Sequence, residues 1–211
     1  MESANNGQGR FITVEGLEGA GKSSHVEAMR AHIEGRGHHV VVTREPGGAP
    51  MSEQVRRLLL DPANTGMAGD TELLLVFAAR AEHLHKMIRP ALEAGSWVVC
   101  DRFTDATYAY QGGGRGISVE RIAQLECWVQ GSLRPDLTII LDVDPQTGLA
   151  RAGRRSDQDR FEQESIAFFR RVRDCYLQRA RAAPARYRVV DASGSMQEVG
   201  AEIAGILQEF K

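Results

Sequence analysis

This 211-residue chain predicts an α/β fold built on a doubly wound parallel sheet. Three observations carry that prediction. Short β-branched runs alternate with longer segments of helical spacing. The strand runs are almost continuously apolar, as strands covered on both faces are. The first run leads straight into a glycine-rich turn that opens a helix.

The strand runs are residues 11–15, 40–43, 97–100, 137–143 and 188–191. Between them, helical patterns fall near 22–35, 52–60, 71–93, 118–132, 145–152, 162–183 and 195–210. In the sixth, Ile166, Phe169, Val172, Tyr176 and Leu177 recur on one face. Alternation of this kind places a binding site at the carboxyl ends of the strands. The length suits one domain over residues 11–211 with a single core. Residues 1–10 are polar and Gly/Asn-rich, which reads as a disordered tail and not a signal peptide. No apolar run reaches the roughly 18 residues needed to cross a bilayer. A formal charge of −2 gives no bulk reason to expect nucleic acid or membrane binding, although arginines crowd residues 150–188. The odd set Cys100, Cys127 and Cys175 reads as buried structural thiols of a reducing cytosol. His25, His32, His38, His39, His83 and His85 show no ligand grouping and read as surface or helix histidines. Residues 151–160, low in hydrophobicity between two helices, form a candidate mobile lid.

Gly16, Leu17, Glu18, Gly19, Ala20, Gly21, Lys22 and Ser23 match G-x-x-x-x-G-K-[ST] after a strand and before a helix, with Ser24 following. Glycines let the backbone N–H groups curl inward onto phosphate oxygens, and the helix adds its positive end. Lys22 would reach the β- and γ-phosphates, and the Ser23 hydroxyl would ligate Mg²⁺. A nucleoside triphosphate site of the P-loop type is therefore expected. The chain has no Asn-Lys-x-Asp motif of a GTPase switch and is too short for a motor ATPase. A small-molecule kinase or a nucleotide-dependent binding module remains.

The run ending in Asp101-Arg102 brings a carboxylate for Mg²⁺ and a phosphate-clamping guanidinium to the catalytic edge of the sheet. Thr43-Arg44-Glu45-Pro46-Gly47-Gly48 follows the second strand as a rigid turn that a ligand can approach closely. Together with Phe77-Ala78-Ala79-Arg80, Tyr110-Gln111-Gly112-Gly113-Gly114-Arg115-Gly116 and Asp159-Arg160-Phe161-Glu162, these segments resemble thymidylate kinase, which makes dTDP from dTMP and ATP. The resemblance runs from Phe11 to about Ser193. It implies a five-stranded parallel sheet, Mg²⁺ dependence, a cytoplasmic homodimer and a flexible lid.

Residue roles follow from the same resemblance. Arg44, Arg56 and Arg102 would surround the dTMP phosphate beside Glu45, offsetting repulsion between two anionic substrates. Arg80 would donate to thymine O4, with Thr107 and Gln111 completing the base edge; cytosine, with an amino donor there, would be rejected. Tyr110 would lie under the deoxyribose, and Glu18 would face the 3′-OH. An aromatic ring is expected on the thymine. Here Phe77 stands three residues before Arg80, and Val76 holds the position four before it, where relatives carry the ring. Positions three and four apart share a helix face, so stacking by Phe77 is expected, with core packing as its alternative. The loop holds no arginine, so the catalytic cation is expected from the lid, at Arg154, Arg155 or Arg160, with Arg151 on the ATP side. That pairing resembles the bacterial subtype. Lys22, Asp101 and Arg102 complete the catalytic set, with Ser23 and Asp101 toward the metal.

Overall fold

The computed structural model describes residues 9–153 and 159–210. Five parallel strands form one sheet: β1 (Phe11–Gly16), β2 (Val40–Arg44), β3 (Trp97–Asp101), β4 (Leu137–Asp142) and β5 (Tyr187–Asp191). Their order is β2-β3-β1-β4-β5. β1 pairs with β3 from Phe11↔Val98 and with β4 from Ile12↔Leu137. The chain steps to opposite sides of β1, which makes its carboxyl end the switch point where a ligand crevice opens. All six residues of β1 are buried. The two edge strands differ from the expected two-sided burial. Val41 and Val42 in β2 are half-buried, and Val189 in β5 is 44% exposed. Adjacent residues, which point to opposite faces, share the exposure, as expected of edge strands that lack a neighbour on one side.

Helices α1 (Lys22–Gly35), α2 (Pro50–Leu60), α3 (Gly69–His83), α4 (Arg89–Glu93), α5 (Thr104–Thr107), α6 (Val119–Gln130), α7 (Pro145–Ala152), α8 (Ile166–Ala182) and α9 (Met196–Glu209) flank the sheet. The expected single helix over 71–93 is interrupted by a π-helical turn at Leu84–Ile88. Pro90 has no N–H to donate, and the ladder widens ahead of it. α8 starts at Ile166 and not at 162, because Ser165 caps it by accepting from the Phe168 N–H at 3.2 Å.

One helical stretch went unforeseen. α5 continues into a π-helical segment, Tyr108–Gly114, whose Gly112-Gly113-Gly114 run suggests a loop. Packing overrides propensity here. A Cβ on Gly113 would lie 2.9 Å from both the Arg171 carbonyl and Cys175 Cβ, and one on Gly114 would overlap the Phe168 ring. The glycines let this segment press directly on α8.

Gly9 and Arg10, expected in the tail, are among the described residues. The first eight residues of that tail lie outside the described ones, but the Arg10 carbonyl accepts from the Val98 N–H at 2.7 Å, and its guanidinium lies 3.5 Å from Asp136. Of the cysteines, Cys100 is buried and Cys175 partly so, whereas Cys127 is exposed. No helix among the described residues is long and apolar enough to cross a membrane.

Candidate functional site

The turn from β1 into α1 is built from glycines at φ angles that L side chains avoid: 134° at Gly16, 71° at Gly19 and 87° at Gly21. Gly19 also touches Gly148 of α7. A Cβ on Gly19 would overlap the Gly148 carbonyl, and one on Gly148 would sit 2.5 Å from the Glu18 carbonyl. Lys22 Nζ donates to the carbonyls of Gly16 (3.2 Å) and Leu17 (2.8 Å). Burial, with Arg102 adding to it, pulls the Lys22 amine down to about 8. Ser23 Oγ lies 3.5 Å from Asp101 Oδ2, and the buried Asp101 Oδ1 has no hydrogen-bond partner among the described residues. A hydroxyl and a carboxylate beside a phosphate loop suit a hard cation that keeps most of its waters.

The loop opens onto a cleft of about 290 Å³ that runs past Arg44, Arg56 and Arg102 to Arg80. Arg102 is the one non-glycine with positive φ (68°) among the described residues. Several bonds hold it there, among them its N–H to Val14 O (2.9 Å), Nη1 to Gly16 O (2.8 Å) and Nη2 to Glu18 Oε1 (2.7 Å). Such conformations persist where surroundings over-determine them. Behind it, Glu15 accepts from the Phe103 N–H at 2.7 Å and the Tyr176 hydroxyl at 2.8 Å. Burial, reinforced by Asp105, pushes the Glu15 carboxyl up to about 8. Arg44 pairs with Glu53 at 2.9 Å, and Arg56 donates to Pro46 O at 2.8 Å. Burial and the neighbouring Arg44 lower the Arg56 guanidinium from its ordinary value, as two like charges around an anion site would. Glu18 turns away from the phosphate turn. Both its oxygens accept from the Tyr110 hydroxyl, at 2.7 and 2.8 Å.

At the far end Arg80, 1% exposed, lies between the rings of Phe77 (4.9 Å) and Phe103 (5.0 Å). Its Nε donates to Glu45 Oε2 at 2.7 Å and its Nη2 to Thr107 Oγ1 at 2.9 Å. Nη1 has no partner among the described residues, although the residue lines the cleft. Gln111, 2% exposed, lines the same wall.

Several expectations change. Phe77 packs with Leu73, Tyr108 and Ile122 in the core, and Val76 lines the cleft instead. Three residues back along α3 turns the ring past the cleft, so Phe77 backs the Arg80 guanidinium and does not line the cleft. Arg160 does not sit in a solvated lid. It is 4% exposed, with Nη2 2.7 Å from Glu72 Oε2 and Nε donating to Leu59 O at 2.8 Å, because the carboxylate buried on α3 needs a counter-charge. Arg151 donates to the carbonyls of Ala192 (2.8 Å) and Ser193 (3.0 Å), tying α7 to the loop after β5. Arg154 and Arg155 lie outside the described residues.

Residues that pattern reading passed over complete the site. His83 is fully buried, not superficial. It donates from Nδ1 to Glu45 Oε1 at 3.0 Å and places Nε2 2.7 Å from Thr43 Oγ1. His25 is buried as well. The only hint in the sequence was that His83 stands one helical turn after Arg80.

Comparison with known proteins agrees with this geometry. The sequence profile of the thymidylate kinase family matches residues 14–203. A thymidylate kinase of Ectopseudomonas mendocina is 61% identical over 199 residues, covering 94% of this chain and 95% of its own. One from Pseudomonas syringae pv. tomato is 59% identical over 202 residues, covering 96% of each. The crystal structure of thymidylate kinase from Ehrlichia chaffeensis superposes with a TM-score of 0.78 at 35% identity, covering 95% of this chain and 98% of that one. The chain therefore belongs to the thymidylate kinase family, ATP-dependent enzymes that phosphorylate dTMP to dTDP.

Proposed function

We propose that the phosphate loop holds Mg·ATP while the wall from Arg44 to Gln111 holds dTMP, and that the γ-phosphate passes directly between them with no covalent enzyme intermediate. Residues 16–24 grip the triphosphate, Lys22 meets its β- and γ-oxygens, and Arg151 borders the ATP side. Ser23 and Asp101 hold Mg²⁺ or its waters, which draws charge from the phosphates. Arg44 (steadied by Glu53), Arg56 and Arg102 (steadied by Glu18) receive the dTMP phosphate, while Glu45 holds Arg80 beside them. Glu18 and Tyr110 meet the sugar, and Arg80, Thr107 and Gln111 read the base. The positive charge that the phosphate loop lacks comes from Arg154 or Arg155.

The observation that carries this reading is Arg80. A buried guanidinium with two of its three nitrogens committed leaves the third, Nη1, to donate to a ligand, and thymine O4 supplies an acceptor. ADP release measured with dTMP, dUMP, dCMP, AMP or no acceptor tests it. Release should rise many-fold with dTMP and little with dCMP. Slow hydrolysis indifferent to acceptor would instead describe a nucleotide-controlled binding module.

We further infer a homodimer through α2, α3 and α6. Met51, Leu58, Leu74, Val119 and Trp128 are exposed along those helices, and Trp128 is 82% exposed. A cytoplasmic location fits three unpaired cysteines and a site built for ATP.

A further inference from the structure

Behind the base wall lies a second layer of side chains that does not line the cleft. Its centre is Glu72 of α3, 1% exposed. Glu72 Oε1 accepts from Gln111 Nε2 at 2.8 Å and from Arg115 Nε at 3.3 Å. Glu72 Oε2 pairs with Arg160 Nη2 at 2.7 Å. Both cations are themselves anchored. Arg115 meets Glu164 at 2.5 Å, and the Arg160 guanidinium lies 4.5 Å from the Phe161 ring centre. A carboxylate flanked in this way cannot turn aside.

The chemistry of that contact fixes the direction of an amide. Glutamine can present either a donor or an acceptor, and nothing in its own shape decides which. An ionised carboxylate only accepts, so the amide nitrogen of Gln111 must face Glu72. The carbonyl oxygen is then the end left for a ligand in the cleft. Thymine and uracil carry a donor at N3 and an acceptor at position 4. Cytosine carries an acceptor at N3 and a donor at position 4. A wall that offers Arg80 as donor and Gln111 as acceptor matches the first pair twice and the second not at all.

We propose that Glu72 is a specificity-positioning residue: by holding the Gln111 amide nitrogen it makes Gln111 an acceptor toward the base, so that the site selects an N3–H pyrimidine over cytosine. Arg160 and Arg115 are the counter-ions that keep Glu72 in place. This inference rests on the reading that the Arg80–Gln111 wall receives the base. Buried donor–acceptor mismatches discriminate far more strongly than a difference in size does.

The test compares kcat/KM for dTMP and dCMP in the unaltered enzyme, Glu72→Gln and Gln111→Ala. Glu72→Gln replaces an obligate acceptor with a group that can also donate, so Gln111 can turn over. Its preference for dTMP over dCMP should fall about tenfold or more, mainly through KM. The folded fraction cancels in that ratio, so loss of stability alone leaves it unchanged. An unchanged ratio in Glu72→Gln beside a reduced one in Gln111→Ala overturns the role of Glu72 alone. An unchanged ratio in Gln111→Ala overturns the base-wall reading and this inference with it. Should Glu72→Gln not fold, ¹⁵N spectra of the unaltered protein with dTMP decide. The Gln111 side-chain NH₂ should stay protected from exchange and show no contact with the base; a contact between that NH₂ and the base overturns the proposal.

Discussion

The two ends of the cleft are made of different materials. In the proposed reading, the phosphate-loop end is made of backbone N–H groups, glycines and one lysine within the eight residues from Gly16 to Ser23, with Arg44, Arg56 and Arg102 lining the stretch between the two ends. At the base end the groups are buried side chains brought from β2, α3 and the Thr104–Gly114 segment, held by a chain of contacts from Thr43 through His83 and Glu45 to Arg80 and Thr107. Phosphate is the same in every nucleotide, so a preset backbone cradle serves it. A base must be told from its relatives, and only side chains with fixed donor and acceptor directions can do that.

The widest separation between the ends should come from Lys22→Ala. Removing a cation at the transferring phosphate should lower turnover by about 10³-fold or more, while the dTMP dissociation constant and the thermal midpoint change little. Isothermal titration with dTMP alone, beside steady-state rates, checks both halves. A variant that kept near-normal turnover would remove the phosphate assignment.

Arg160 sharpens the contrast, because the sequence places it in the expected lid of residues 151–160 whereas the structure buries it beside Glu72. Arg160→Ala should destabilise the protein by removing the nearer of the two cations that face buried Glu72, by less than the roughly 3–5 kcal/mol of a wholly unpaired charge because Arg115 remains, and raise KM for dTMP. Arg154→Ala and Arg155→Ala should instead leave stability and dTMP affinity near normal, with at least one losing kcat and kcat/KM together. Denaturant unfolding and kinetics on all three would separate them. If Arg160→Ala behaved as a pure kcat variant, it would have to be returned to the phosphate end.

A smaller effect is expected at the base itself. Arg80→Ala removes a charged donor worth about 1.5–3 kcal/mol, so kcat/KM for dTMP should fall about ten- to a hundredfold and preference over dCMP should shrink. Competition assays with both nucleotides measure it directly.

The smallest effect concerns protons. With the Lys22 amine near 8, the free enzyme loses that proton as pH rises through about 8, whereas a bound triphosphate favours the charged form. ATP affinity should therefore weaken above about pH 8, and binding near pH 8 should take up protons. Calorimetry in buffers of different ionisation heat reads the uptake. Proton release on binding would reverse the assignment.

The same division governed what could be read from the chain. The phosphate loop and the five strands were legible because their signals are local: a spaced glycine-lysine motif and apolar runs of strand length. Glu45, Arg80, Thr107 and Gln111 came only through family resemblance. His83, Glu72, Glu15 and Tyr176 were missed, since a buried polar residue looks like any surface one until its partner, often far away in sequence, is seen. Tyr176 and Glu15, for instance, are separated by 161 positions. Phe77 erred by one residue, a 100° rotation on a helix. The helical stretch from Thr104 to Gly114 went unread because its glycines carry no helical signal until α8 is seen packed against Gly113 and Gly114.

The meeting of Gly19 with Gly148 bears on how such a molecule can drift over generations. Importing an arginine into the phosphate turn at position 19 would be one route to a catalytic cation within the turn itself. Here that route is closed. The new side chain would enter at φ 71° and collide with the carbonyl of Gly148, and changing Gly148 first drives its own Cβ toward Glu18. Neither substitution can come first at little cost, and moving α7 would disturb the tie between Arg151 and the loop after β5. A lineage with this glycine pair is held in a historical ratchet that keeps its phosphate turn without an arginine, so the cation we propose must come from elsewhere in the chain.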